Sequence, residues 1–137
     1  MNEPLYPVAF QKIMQSTNYT LFILESQNKK FSIYSTPNVG LTIQRVLSNQ
    51  TAPRPQTYDL VNSLIKGLDI SPLQLVLHDV EDSIFYCKFF VEQTIHEDQN
   101  ILEIDTRPSD GLVLALSHNI PILCTQKLLD KTPEYLE

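Results

Sequence analysis

The alternation of apolar and polar residues constrains the fold of this chain more than any other feature. Alternation with β-branched and aromatic side chains predicts strands, because successive side chains of a strand point to opposite faces. The pattern is clear from Leu21 to Glu25, and the pair Gln27-Asn28 that follows predicts a tight turn. The segments predicted as strands are residues 6–13, 19–26, 29–35, 73–80, 84–93, 101–105 and 121–124.

Four segments carry helix signals. Ser35-Thr36-Pro37 predicts the start of one helix, Thr57 is predicted as the N-cap of a second, and Pro108 opens a third. Thr125 is predicted to cap a short fourth helix that ends at Lys131. The second helix is expected to bury an apolar stripe, which consists of Leu60, Val61, Leu64, Ile65 and Leu68.

The third helix is apolar on every side from Leu112 to Leu116, so we expect it to be buried all round, with Asn119 as its C-cap. Glu81-Asp82-Ser83 is predicted to close a hairpin, and residues 96–100 are predicted to form a loop. Strands in runs, with helices that do not strictly alternate with them, favour an α+β fold. We expect one domain over residues 1–137, with a mixed or antiparallel sheet of about six to seven strands and three to four helices.

Charge and cysteine usage limit the partners and the compartment. The formal net charge is −6, with +3 in residues 1–66 and −9 in residues 67–137. Proteins that bind nucleic acid by phosphate neutralisation normally carry a basic excess, so such binding here requires a local patch or cations held by carboxylates. Cys87 and Cys124 lie in apolar stretches, which predicts buried free thiols in a reducing compartment. With no membrane-length apolar run and no secretory signal visible, we expect a cytoplasmic protein.

Two segments place an arginine and carboxylates at the start of a helix. They are Asp105-Thr106-Arg107-Pro108-Ser109-Asp110 and Arg54-Pro55-Gln56-Thr57-Tyr58-Asp59. Free N–H groups and an arginine favour anions such as phosphate, and carboxylates hold hard cations such as Mg²⁺. Phosphodiester hydrolysis uses both kinds of group. A structural explanation stands beside this one, because acidic residues at these places complement the helix dipole and Arg107 can pair with Asp105 or Asp110.

Around these residues the chain resembles the bifunctional nuclease domain family. That family shows Asp-x-Arg-Pro-Ser-Asp-Ala before an apolar helix and then a Pro-Ile pair. The match in this chain is Ile104-Asp105-Thr106-Arg107-Pro108-Ser109-Asp110, followed by an apolar helix and Pro121-Ile122. It also shows Pro-Arg-Pro-x-Thr-His-Asp-Leu, which matches residues 53–60, and a third match is Phe85-Tyr86 after Asp82-Ser83. The resemblance covers roughly residues 30–125, and residues 1–29 add N-terminal strands.

The resemblance implies a divalent-metal-dependent nuclease that acts on RNA, DNA or both and forms a homo-oligomer, either a dimer or a trimer. Exposed edges among the first three strands are candidates for building that oligomer. Mg²⁺ or Mn²⁺ would be held by Asp105 and Asp110. The implied catalytic residues are Asp105, Asp110 and Asp59, and the implied phosphate-binding or substrate-binding residues are Arg54, Arg107, Thr57 and Ser109.

A second interpretation is a member that has lost catalysis and serves as a binding or regulatory oligomeric module. Val39 stands where the family usually has an acidic residue, and Tyr58 stands in place of its histidine. Tyrosine is a poor base near neutral pH. The nuclease interpretation requires the site groups to converge in one cleft. The second requires Asp105, Arg107 and Asp110 to satisfy one another and to face inward.

Overall fold

The computed structural model describes residues 3–136, which form eight strands and four helices. The helices are α1 (Pro37–Leu47), α2 (Thr57–Gly67), α3 (Pro108–His118) and α4 (Gln126–Lys131). The strands are β1 (Leu5–Pro7), β2 (Ala9–Gln15), β3 (Thr20–Ser26), β4 (Lys29–Ser35), β5 (Ile70–Glu81), β6 (Ile84–Ile95), β7 (Asp98–Thr106) and β8 (Ile122–Thr125). The predicted α+β single-domain fold is confirmed.

The strands belong to two sheets rather than one. A five-stranded sheet has the order β1-β8-β5-β6-β7, and a three-stranded sheet has the order β2-β3-β4. The β5–β8 pair is parallel and every other pair is antiparallel. The segment predicted as one strand over 6–13 is divided, because the chain pairs with β8 up to Pro7 and with β3 from Ala9 onward.

Residues 96–100 are not the predicted loop. His96 and Glu97 make a two-residue turn with φ of 52° and 70°, and β7 already begins at Asp98. Positive φ at both central residues is what a type I′ hairpin turn requires, and the twist of that turn matches the twist of the flanking strands. Gln27-Asn28 and Asp82-Ser83 have the same signature. Tight turns therefore connect β5, β6 and β7 into a continuous meander.

Helix α3 is the buried centre of the fold, as the sequence predicts. Residues 111–115 are all buried, and Asn119 ends the helix in the left-handed conformation with φ 53°. Thr125 caps α4 by accepting a hydrogen bond from the Leu128 N–H at 3.2 Å. The buried free thiols are also confirmed, since Cys87 and Cys124 are both buried and unbridged. Within residues 3–136, no helix has the length and apolar character needed to cross a membrane.

Helix α2 differs from its predicted packing in two ways. Its N-cap is Gln56 rather than Thr57, and the Gln56 N–H donates to Asp59 Oδ2 at 2.7 Å. Of the predicted apolar stripe only Ile65 is buried and Val61 is half-buried. The stripe is wider than the surface that the rest of the chain offers to cover it. Three leucines therefore remain more than half exposed, namely Leu60, Leu64 and Leu68.

Two glycines offer a matched test of packing. A Cβ at Gly40 of α1 would overlap the side chains of Gln15 and the buried Thr20, with Thr20 Cγ2 only 2.8 Å away, whereas a Cβ at Gly67 would meet nothing within 4 Å. We expect Gly40→Ala to lower the free energy of unfolding by about 1–3 kcal/mol. Gly67→Ala is expected to leave it unchanged or raise it by up to about 1 kcal/mol. Urea unfolding checks both, and equal effects would contradict this packing.

Candidate functional site at the start of the third helix

A cleft of about 630 Å³ opens where β7 passes into α3. Residues 33–36 at the end of β4, residues 83–86 of the β5–β6 hairpin and residues 105–109 line it, and we refer to it as the site cleft. The β7 strand ends at Thr106, Arg107 adopts the extended N-cap conformation, and Pro108 begins the helix. The structure therefore brings three of the predicted site residues, Asp105, Arg107 and Ser109, to one concave surface.

Both carboxylate oxygens of Asp110 accept a hydrogen bond from another side chain. Its Oδ1 accepts from the Tyr58 hydroxyl at 2.6 Å, and its Oδ2 accepts from Arg107 Nε at 2.8 Å. The pKa of Tyr58 lies well above its ordinary value of 10.0. Burial is the main cause, and the hydrogen bond to Asp110 is the second. The same ion pair raises the pKa of Arg107. The Tyr58 hydroxyl therefore keeps its proton at physiological pH and donates a hydrogen bond to Asp110, and this bond connects α2 with α3.

The second predicted segment does not enter the site cleft. Asp59 is an exposed residue whose Oδ2 caps the start of α2 through the Gln56 N–H. Thr57 lines a separate pocket of about 410 Å³ against α1, beside Arg45. Arg54 is exposed in the preceding loop. Within residues 3–136, the hydrogen bond that joins the two segments runs from Tyr58 to Asp110. Arg54, Thr57 and Asp59 do not line the cleft that Asp105 and Arg107 line.

Among residues 3–136, the carboxylates do not form a cluster that encloses a metal ion. In the part of the chain that the structure describes, no three His, Cys, Asp or Glu side chains are grouped so that they could hold a metal ion. Asp105 is the acidic residue that lines the site cleft, and it is exposed. Mg²⁺ commonly keeps several waters and is bound by one or two carboxylates together with substrate phosphates. The donors present therefore fit a cation that binds with a phosphate, not one enclosed by protein ligands.

Strand pairing adds residues next to Asp105 that the sequence analysis did not identify. The β6–β7 register sets Lys88 directly opposite Asp105, and the rings of His78 and Tyr86 lie 6.4 Å apart. Burial lowers the pKa of His78, with Lys88 acting in the same direction, while Asp79 and Asp105 oppose the shift. Neighbours of this kind depend on which residues face each other across strands, and that register is not readable from either strand alone.

Comparison of the sequence with known protein families assigns this α+β chain to one of them. The model of the bifunctional nuclease domain family matches residues 22–137, and the chain belongs to that family. Two similar proteins are the uncharacterized protein MT1877 of Mycobacterium tuberculosis strain CDC 1551 / Oshkosh and the uncharacterized protein Rv1829 of strain ATCC 25618 / H37Rv. Each is 30% identical over 120 residues, a match that covers 86% of this chain and 69% of the relative.

The Tyr58–Asp110 bond makes a testable contribution to stability. We expect Tyr58→Phe to lower the free energy of unfolding by about 1–3 kcal/mol, because a hydrogen bond to a carboxylate is lost. The pKa of Tyr58 is raised on folding, so its contribution is complete below the ordinary value of 10.0 and is lost as pH rises above it. Denaturant unfolding at pH 7 and pH 10.5 checks both statements.

The control for this experiment is Tyr34→Phe. Tyr34 is 66% exposed, and its hydroxyl makes no hydrogen bond among residues 3–136, so its removal should leave stability unchanged. Equal stabilities of the two variants at pH 7 would show that the Tyr58–Asp110 bond contributes nothing.

Cys87 lies beneath the site cleft, where its thiol donates to the Thr106 carbonyl at 2.9 Å. Burial, reinforced by the charges of Asp105 and Asp110, raises its pKa to about 12. Burial also raises the pKa of Cys124. Since the thiolate is the reactive form, we expect neither thiol to react with Ellman's reagent in the native protein and both to react in guanidinium. Rapid reaction of the native protein would contradict the buried arrangement.

Proposed function

We propose that this protein hydrolyses phosphodiester bonds of RNA or DNA in the site cleft, with Mg²⁺ or Mn²⁺ bound together with the substrate. The observation that carries the proposal is the presence of Asp105, Arg107, Ser109 and the N-terminus of α3 on one concave surface. Family membership supports the same reaction class. A carboxylate beside anion-binding groups is the combination that phosphoryl chemistry needs.

Arg107 and α3 supply the positive side of the site. The Nε of Arg107 is fixed by Asp110 at 2.8 Å, which leaves the two terminal nitrogens of the guanidinium for a phosphate. Backbone N–H groups at the start of α3 and the Ser109 hydroxyl are donors at the same place. These groups orient a phosphodiester and stabilise the negative charge that grows on its oxygens as water attacks.

Asp105 supplies the acidic side. A divalent cation, when bound, supplies Lewis-acid chemistry and lowers the pKa of a water molecule. Asp105 would hold that cation jointly with a substrate phosphate and would accept hydrogen bonds from the attacking water. Asp110 acts through Arg107 as a positioning residue, since both of its oxygens are already bonded. We therefore assign no metal-ligand role to Asp110, although its sequence context predicted one.

The walls of the cleft favour single-stranded substrates. Tyr34 and Tyr86 line it and are 66% and 41% exposed, so aromatic faces stand next to the phosphate-binding groups. Bases of a single strand stack on such faces, whereas those of a duplex are already stacked on each other. With a net charge of −6, the chain offers little long-range attraction for a duplex.

We place this activity in the cytoplasm, where the thiols of Cys87 and Cys124 would remain reduced.

A second candidate is a member that binds nucleic acid without cleaving it. It is favoured by the bonds from Tyr58 and Arg107 to Asp110, because they remove one acidic group from the reaction. Val39 adds no carboxylate where the family usually has one. This interpretation requires the site groups to pair with one another and to face inward. The Arg107–Asp110 ion pair meets the first requirement, but Asp105 is exposed and does not meet the second.

Purified protein incubated with single-stranded RNA, single-stranded DNA and plasmid DNA, with Mg²⁺, Mn²⁺ or a chelator, tests the proposal. We expect metal-dependent cleavage that Asp105→Asn lowers by about 10²-fold or more, because the variant keeps the shape but loses the charge. Asp69→Asn is the matched control, since Asp69 is exposed after α2 and outside the site cleft, and it should retain full activity.

The outcomes separate the two candidates. Cleavage that persists in Asp105→Asn would place the activity elsewhere or in a contaminant. No cleavage with either metal, combined with salt-sensitive retention of single-stranded RNA that Arg107→Gln abolishes, would establish the binding function instead.

A further inference from the structure

Large apolar side chains line the site cleft and stand in solvent. Tyr34 of β4 is 66% exposed, Ile84 at the tip of the β5–β6 hairpin is 59% exposed, and Tyr86 of β6 is 41% exposed. The hydroxyl groups of the two tyrosines make no hydrogen bond within residues 3–136, so no polar contact explains their positions. A group of apolar side chains that stays in water commonly marks a binding site.

Tyr34 packs against a second exposed ring, that of Tyr19. The two ring centroids are 5.6 Å apart, and the ring planes meet at 57°. The β3–β4 register sets Leu21 opposite Tyr34, so Tyr19 lies two residues away in the diagonal position on the same face. The backbone of Tyr19 is fixed by Ser16, whose Oγ accepts from the Tyr19 N–H at 3.1 Å. The Tyr19–Tyr34 pair is therefore both open to solvent and firmly placed.

Tyr86 also has an aromatic partner, His78, with the ring centroids 6.4 Å apart. His78 is the extra residue of a β-bulge in β5, since the pairing of β5 with β6 skips it. A β-bulge bends its strand and changes the direction of a side chain. The His78 carbonyl accepts a hydrogen bond from Thr125 Oγ1 at 2.9 Å, which fixes the bulge. The His78–Tyr86 pair is thus a second aromatic surface that the backbone holds in place.

Strand register places Tyr86 next to the charged groups of the cleft. Lys88 is opposite Asp105, so Tyr86, two residues before Lys88, is the diagonal neighbour of Asp105 on the same face of the sheet. Tyr86 and Arg107 are the residues that come just beyond the last pair of the β6–β7 ladder, one on each strand. A phosphate bound at Arg107 would therefore have the Tyr86 ring beside it.

A buried contact joins the wall that carries Tyr34 to the wall that carries Tyr86. Phe31 of β4 stacks on Phe85 of the hairpin with ring centroids 6.0 Å apart, and both rings are buried. The core therefore sets the separation of the two aromatic surfaces, because neither wall can move without breaking this stack. The cleft volume of about 630 Å³ falls within the range of about 300–1,000 Å³ that is common for small-molecule sites.

We propose that the site cleft binds two adjacent nucleotides of a single strand, with one base on the His78–Tyr86 pair, the next on the Tyr19–Tyr34 pair and the phosphate between them at Arg107. This inference rests on the proposed function for the identity of the ligand. A phosphodiester joins two nucleosides, so one phosphate site calls for two base sites. An apolar peptide would cover the rings but leave the guanidinium without an anion. Every base has an aromatic face, so such stacking tolerates any sequence.

A short single-stranded oligonucleotide that contains 2-aminopurine tests the stacking in a chelator, where metal-dependent cleavage cannot occur. The fluorescence of 2-aminopurine falls when its ring stacks, so we expect a decrease on binding. Tyr34→Leu and Tyr86→Leu should each raise the dissociation constant by about fivefold or more, because an aromatic face is lost. Tyr34→Phe and Tyr86→Phe keep the ring and should bind as the wild type does. Leu47→Ala removes a 51% exposed side chain outside the cleft and should also have no effect.

Oligonucleotides with abasic positions test the number of base sites without any variant. One that keeps two adjacent bases should bind as the intact strand does, and one that keeps a single base should bind about fivefold more weakly or worse. Equal affinities for these two strands, or equal affinities of the leucine and phenylalanine variants, would overturn the proposal. The expected binding pattern without cleavage in Mg²⁺ or Mn²⁺ would refute the proposed hydrolysis and leave the two base sites in place. Metal-dependent cleavage with no fluorescence change would do the reverse.

Discussion

The carboxylate of Asp110 is the contact on which the arrangement of this molecule depends. It accepts one hydrogen bond from α2, through Tyr58, and one from the residue that caps its own helix, Arg107. The first bond sets where α2 begins relative to α3, and the second fixes the guanidinium at the mouth of the site cleft. Because the two oxygens serve different partners, the loss of either bond would leave a half-buried carboxylate with an unmet acceptor, which costs more than the bond itself contributes.

The same contact changes how the Arg-Pro-Ser-Asp segment is understood. In sequence its two acidic residues look equivalent, and both suggest cation binding. In the structure they differ, because Asp105 lies in the cleft and its carboxylate makes no hydrogen bond or ion pair within residues 3–136, whereas Asp110 accepts a hydrogen bond from Arg107. A phosphate-binding arginine gains from this arrangement, since a side chain that is already fixed loses less entropy when its ligand arrives. Under the proposed function, the segment therefore combines the carboxylate that takes part in the reaction, Asp105, with the residue that orients the neighbouring arginine, Asp110.

Local sequence patterns predict much of the fold, but they predict only part of the site. The strands, the buried α3 and the caps at Asn119 and Thr125 follow from periodicity and turn chemistry, which act over a few residues. The Arg107–Asp110 pair is also local. The bond from Tyr58 joins residues 52 positions apart, and the pairing of Lys88 with Asp105 depends on strand register, so neither has a local signal. The predicted burial of Leu60, Leu64 and Leu68 on α2 was wrong for a related reason, because an apolar stripe does not indicate whether its own chain or another surface covers it.

The pairing of β1 with β8 has a consequence for how the chain is made. Residues 5–7 form hydrogen bonds with residues 123–125, so the five-stranded sheet is complete only after residues 123–125 have left the ribosome. The β5–β6–β7 meander uses only neighbouring segments and can form earlier, since short loops are cheap to close. During that interval both outer strands of the meander are open. The acidic residues along β7 then act as a safeguard, because they oppose out-of-register pairing between nascent chains.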